Sequence, residues 1–312
     1  MANDHYVPRF YLRGFEMPFK PKWIVSYKRN LKPKAIAIKS VASAESYYRI
    51  EKDDLTIPED TIDKILSIIE DKAAPLINRI RTGESLSLSK EEKGTLSIFI
   101  ALLAFRTPFA QTAMKNLDIA QSKRDLVRLA ADKDEFHRTS RLIEPDTPPE
   151  KIEEHRLLLL DFDEHSTIRH TNAGENEFYF MGQGISIAQE LAKILSRKYW
   201  QLIESDNSRV FLTSDQPVVL LPDYYHKRGM PVGYYDGRVM LPLTPKRALM
   251  MANSPLKNQI IPITEEKMRE YQWYTVTRCY QLVFSHIESE EFQKILDSTE
   301  EGEVVRVYLP DA

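Results

Sequence analysis

Cys279 is the only cysteine in the chain, so no disulfide can form within it. There is neither a Cys-x-x-Cys pair nor a His-Glu-x-x-His helix on which to build a zinc site. Glycine is scarce, at 10 of 312 residues, and Gly182-Gln-Gly184 lacks the remainder of a nucleotide-binding glycine fingerprint. A Gly-x-Ser-x-Gly elbow is absent as well. These gaps argue against zinc, Rossmann and P-loop chemistry, and no metal or cofactor is expected. The longest apolar run worth testing, Ile98 to Phe105, is far shorter than the roughly 20 residues that span a bilayer. The polar opening Asn3-Asp4-His5 is unlike a signal peptide, so the expectation is a cytoplasmic protein without a membrane partner. With no repeat, low-complexity tract or Gly/Ser linker, one domain over residues 1–312 is the simplest organisation.

Hydrophobic residues at 42% and charged residues at 29% are the balance of an ordinary globular protein. The net charge of -3 conceals an asymmetry. Residues 1–39 hold nine basic side chains against Asp4 and Glu16, a balance of +7, which leaves -10 for the rest. The basic segment is also aromatic, with Phe10, Tyr11, Phe15, Phe19, Trp23 and Tyr27 interleaved. A terminus this rich in large apolar groups is expected to be tied into the fold, which would fix His5, Arg9 and Arg13 in place.

Hydrophobic periodicity predicts strands at Trp23 to Arg29 and Ala35 to Val41, then helices. The first runs from Glu59 to Arg81 and ends at Gly83, with Pro75 expected to kink or split it. Ser89-Lys-Glu-Glu92 reads as a capping box for the second, which ends or bends at Thr107-Pro108. Ala110 to Ile143 is one long helix or a helical hairpin, Pro149 seeds a helix through Leu160, and Ile185 to Tyr199 is amphipathic. The period then alternates. Strands are expected at Tyr199 to Glu204, Arg209 to Thr213, Val218 to Leu221, Val239 to Leu243 and Ala248 to Ala252, the first two joined as a hairpin. Thr264 to Phe284 reads as a helix, Glu290 to Leu296 as a short one, and Val304 to Leu309 as a last strand. The predicted class is α+β, a helical first half packed on a mostly antiparallel sheet formed largely by the second half.

Four segments carry a resemblance. His5-Tyr6-Val7-Pro8 with Phe10, Leu12 and Phe15, then Arg106-Thr107-Pro108, Thr213-Ser214-Asp215-Gln216-Pro217-Val218 and Leu241-Pro242-Leu243-Thr244-Pro245 resemble, in that order, the bacterial family known as domain of unknown function 4238. The similarity covers residues 5 to about 285. It departs at Tyr271 to Thr275, where the family's late-helix asparagine has no counterpart. The resemblance implies a single domain and no established activity.

The same segments supply the candidate site residues. His5 titrates near neutral pH and is either a general acid or base or a fastening for the terminus. Arg9 and Arg13 share a face if their segment is helical and would then grip a phosphate or carboxylate; otherwise they pair with ordinary acids. Lys20 and Lys22 extend this anion-binding set. Asp215, beside Pro217, is either an accessible carboxylate or an Asx turn, and Arg106 either reaches a buried acid such as Asp215 or caps its own helix. Asp161, Asp163 and His165 alternate as the start of a metal site would, or form a solvated loop. Cys279, in an apolar run, is expected to be inert.

Basic side chains among rings attract phosphates and stack bases, so a nucleic-acid-directed protein is the leading expectation, with RNA or DNA as partner. In its sharpest form it is a metal-independent nuclease using His5, Arg9 and Asp215, with Arg106 in the same centre. The rivals are a non-enzymatic binding or regulatory module whose motifs hold the fold, and an enzyme for a small anionic metabolite.

Overall fold

The computed structural model describes residues 3–45, 47–48, 58, 60–83, 86–161, 177–205, 209–222, 233–255 and 260–299. The predicted strand Val304 to Leu309 lies outside them. The fold is α+β, with helices concentrated in the first half and strands mostly later.

The chain begins with β1 (Asn3–His5), α1 (Arg9–Leu12) and a 3-10 turn (Arg13–Phe15). β2 (Trp23–Lys28) and β3 (Lys34–Ala37) form an antiparallel hairpin, and a 3-10 turn at Ile38–Ser40 leads to β4 (Ser43–Glu45), which pairs with β1. The predicted second strand therefore stops at Ala37.

α2 (Thr61–Thr82) runs unbroken through Pro75. Proline removes one backbone donor, but Ala73, Ile77 and Ile80 on either side of it are buried, and that packing keeps the helix in one piece. α3 (Lys90–Phe105) opens with the capping box: Ser89 Oγ accepts from the Glu92 amide and Glu92 Oε2 accepts from the Ser89 amide. Thr107 caps α4 (Pro108–Ala131), whose first residue is Pro108, and α3 and α4 meet at 68°. Asp132 ends α4 and caps α5 (Lys133–Ile143), so the helical hairpin is the form adopted. α6 (Pro149–Leu160) closes against α4 and α5 on Ala130, Phe136 and Ile152. α7 (Glu177–Arg197) packs along α3, whose Leu96 to Ala104 stretch is buried except for Ile98. Among the described residues no single helix is long and apolar enough to cross a membrane.

β5 (Tyr199–Ser205), β6 (Thr213–Ser214), β7 (Val219–Leu221), β8 (Arg238–Thr244), β9 (Arg247–Ala252) and β10 (Ile260–Ile263) follow, then α8 (Glu265–Thr277), β11 (Leu282–Ser285) and α9 (Glu290–Asp297). Among the described residues the strands form three sheets: β1-β4, β10-β5-β9-β8-β7 and β3-β2-β11-β6. Among the described residues only β10, a strand the sequence did not suggest, pairs in parallel, along β5.

Two predicted elements change. Arg209 to Thr213 is not a hairpin partner of β5, because β9 and β10 occupy both edges of that strand. Val210, Phe211 and Leu212 are all buried in succession, and the Phe211 amide donates to the Pro245 carbonyl at 2.8 Å. The helix predicted to Phe284 stops at Thr277, after which Leu282–Ser285 pairs between β2 and β6.

Candidate functional site

The motif segments converge on the N-terminal segment. Tyr11, Leu12 and Phe15 are fully buried. The Tyr11 hydroxyl donates to the Pro242 carbonyl at 2.5 Å and lies 2.9 Å from Thr213 Oγ1. β8 carries a bulge between Pro242 and Thr244, which takes Leu243 out of the ladder. The freed Leu243 carbonyl accepts from Arg81 Nε at 3.0 Å, and Arg81 also donates to the carbonyls of Phe10 and Tyr11 at 2.9 and 2.5 Å. Thr107 and Gln216 join by their side chains, and Gln216 Nε2 donates to the Ala104 carbonyl. The Tyr11 and Arg81 contacts fasten the terminus, and the Gln216 contacts join the turn after β6 to the α3–α4 junction.

Of the proposed catalytic residues, His5 is half-buried in β1 opposite Ser43, and its carbonyl accepts from the Tyr48 hydroxyl at 3.1 Å. Asp215 is 1% exposed, and its carboxylate accepts three backbone amides, from Tyr280 and Gln281 at 2.8 Å and from Leu282 at 2.9 Å. Burial pushes its pKa up to about 6 against the pull of those amides. Arg106, 3% exposed, pairs with Glu70 at 2.6 Å instead of with Asp215. Its Nε and Nη2 meet no acceptor among the described residues.

A tyrosine cluster feels both charges, Tyr6 that of Asp215 and Tyr48 that of Arg106. Tyr6 and Tyr47 have ring centroids 5.5 Å apart, and Tyr47 and Tyr48 5.1 Å. Burial and then the Asp215 charge raise the Tyr6 pKa; burial also raises that of Tyr48, against the influence of Arg106. Cys279 is buried, and burial followed by the Asp215 charge pushes its thiol up to about 12, so no thiolate forms near neutral pH. Asp161 is exposed at the end of α6, while Asp163 and His165 lie outside the described residues.

The basic residues are arranged differently. Arg9, Arg13, Lys22 and Lys39 line one open hollow of about 530 Å³, walled by Pro21, Trp23, Ala37 and Ile38. Arg9 and Arg13 share the short helical segment, Lys22 sits in the turn before β2, and Lys39 comes from the 3-10 turn after β3. The Ile38 amide donates to the Lys22 carbonyl at 2.9 Å, which brings the last two together. Lys22 holds φ 65°, a left-handed conformation that strains a side-chain-bearing residue. Lys20 rests its ammonium 3.3 Å from the centre of the Trp23 ring. Among the described residues, none of the four lining cations pairs with an acid.

A second hollow, of about 500 Å³ on α5, makes the contrast. Its Lys133 and His137 reach Glu153 at 3.5 and 2.9 Å, its Arg138 reaches Glu135 at 3.8 Å, and Asp134 is part of its own wall. There Lys133 and Arg138 meet carboxylates and Asp134 adds one to the wall, leaving Arg141 without an acid among the described residues; in the N-terminal hollow none of the four cations meets one.

Sequence reasoning named Arg9, Arg13, Lys20 and Lys22, and passed over Lys39. Lys39 was visible only as one of nine basic residues, because the β2–β3 hairpin that carries it back is a tertiary feature.

No curated protein and no solved structure matches the chain. A family model does, over residues 3–289, a span that includes the anchored terminus, the bulged strand, the Asp215 turn and the four-cation hollow. The chain belongs to the family described as protein of unknown function (DUF4238).

Proposed function

We propose that this protein binds nucleic acid through the Arg9, Arg13, Lys22 and Lys39 hollow, in the cytoplasm and without cutting the strand. The observation that carries the reading is four cations gathered on one concavity with no carboxylate among the described residues that line it. Like charges brought together repel, and a phosphate relieves that repulsion while releasing the counterions held along the strand. The anchoring of Tyr11, Leu12 and Phe15 supports it further, since Arg81 holds the carbonyls on which the arginine-bearing turn is built.

Binding is favoured over hydrolysis by the state of the remaining residues. The Asp215 carboxylate is buried against three amides, and Arg106 is buried against Glu70. A general base, or a cation that stabilises developing charge, needs reach to its substrate, and none of His5, Asp215 and Arg106 borders the hollow. The motifs then serve to build the surface.

Fluorescence anisotropy with labelled single-stranded RNA and DNA at low salt tests the proposal. Saturable binding without strand cleavage, lost in the Arg9→Glu/Arg13→Glu variant, supports it. Absence of binding at low salt, or cleavage that Asp215→Asn abolishes, overturns it.

A further inference from the structure

We infer that the hollow takes an unpaired strand, with one base laid against Trp23 while the flanking phosphates meet the cations; this rests on the nucleic-acid reading above. Trp23 lines the same hollow as the arginines and lysines, so an aromatic face and positive charge are presented to one occupant. That pairing is the chemistry of single-strand recognition, where stacking is tolerant of sequence because every base has a flat face.

The ring is held ready. Trp23 is half-buried at the start of β2, with its amide donating to the Lys20 carbonyl at 3.2 Å and its carbonyl accepting from the Met17 amide at 2.9 Å. Lys20 covers one face of the ring with its ammonium. Lys20 is not among the residues that line the hollow, so the phosphates there meet the four cations Arg9, Arg13, Lys22 and Lys39.

Size and shape point the same way. A hollow of about 530 Å³ is the size of a small-ligand pocket, large enough for one nucleotide turned out of its stack. A duplex keeps its bases paired and stacked inside and offers this surface only its phosphates, so the Trp23 contact is lost to it.

The test uses the full-length protein at one low salt concentration and three probes of equal length: a single strand, its duplex, and a single strand with abasic positions. The expected order is single strand tightest, by about tenfold over both others. Trp23→Ala brings the single strand down to the abasic level, and Trp23→Phe keeps most of the gap. Equal affinity for all three probes, or a preference for the duplex, overturns the inference and leaves phosphate binding standing. A gap that survives in folded Trp23→Ala also overturns the role of Trp23. Loss of all binding at low salt instead overturns the underlying reading. If Trp23→Ala does not fold, the wild-type comparison of intact and abasic strands decides.

Discussion

Arg81, in the last turn of α2, donates through Nη2 to the carbonyl of Tyr11 at 2.5 Å, and so ties the long helix to the four-residue helix that carries Arg9. The same guanidinium reaches Phe10 and the bulged Leu243. A helix of one turn has little stability of its own, so this clamp and the buried Tyr11 ring are what fix it.

Gly14 tests the clamp. A Cβ there would overlap the Leu243 carbonyl oxygen and lie 2.7 Å from Arg81 Nη2. Gly14→Ala is expected to destabilise the fold by about 3 kcal/mol, measured by urea denaturation. A change under about 0.5 kcal/mol would mean that the segment shifts freely and that the arginines are not held.

Lys22 gives a prediction in which stability and binding move in opposite directions. Its left-handed backbone is strained for any residue with a Cβ, so Lys22→Gly is expected to stabilise the protein by about 1 kcal/mol while weakening its affinity for a strand. Lys22→Ala loses the same affinity without the gain in stability. Thermal melts beside binding titrations distinguish the two.

Asp215 predicts a pH dependence. Its folded pKa of about 6 lies above the ordinary 3.8, so the folded state holds this proton more tightly than the unfolded chain does. The contribution of Asp215 to stability is therefore greatest below about pH 4, falls as pH rises through the window to about 6, and is level beyond it. Asp215→Asn removes that slope. It also leaves the amides of Tyr280, Gln281 and Leu282 short of acceptors, which is expected to cost about 2 kcal/mol at pH 7. Parallel slopes for wild type and variant between pH 4 and 6 would contradict this.

What the sequence conveyed follows from which interactions are local. The capping box at Ser89, the break at Thr107-Pro108 and the burial of the first aromatic residues were all legible, since each depends on neighbours within a turn or on apolar content. The end of α8 was not. Leu282 becomes a strand because β2 and β6 flank it and Asp215 gathers the preceding amides, and both causes are distant in sequence. The site shows the same division. Arg9, Arg13, Lys20 and Lys22 stood out as a basic run, whereas the preference of Arg106 for Glu70 over Asp215 depends on where α2 lies beside α3.

The central claim, that Arg9, Arg13, Lys22 and Lys39 act together on phosphates, is tested most directly by the salt dependence of single-strand binding. Four phosphate contacts predict a slope of log affinity against log salt of about -2.8, reduced by about 0.7 for each of the four cations replaced by alanine. A fourfold alanine variant that keeps the wild-type circular dichroism spectrum should lose nearly all of both affinity and slope. Wild-type affinity and slope in that variant would contradict the account.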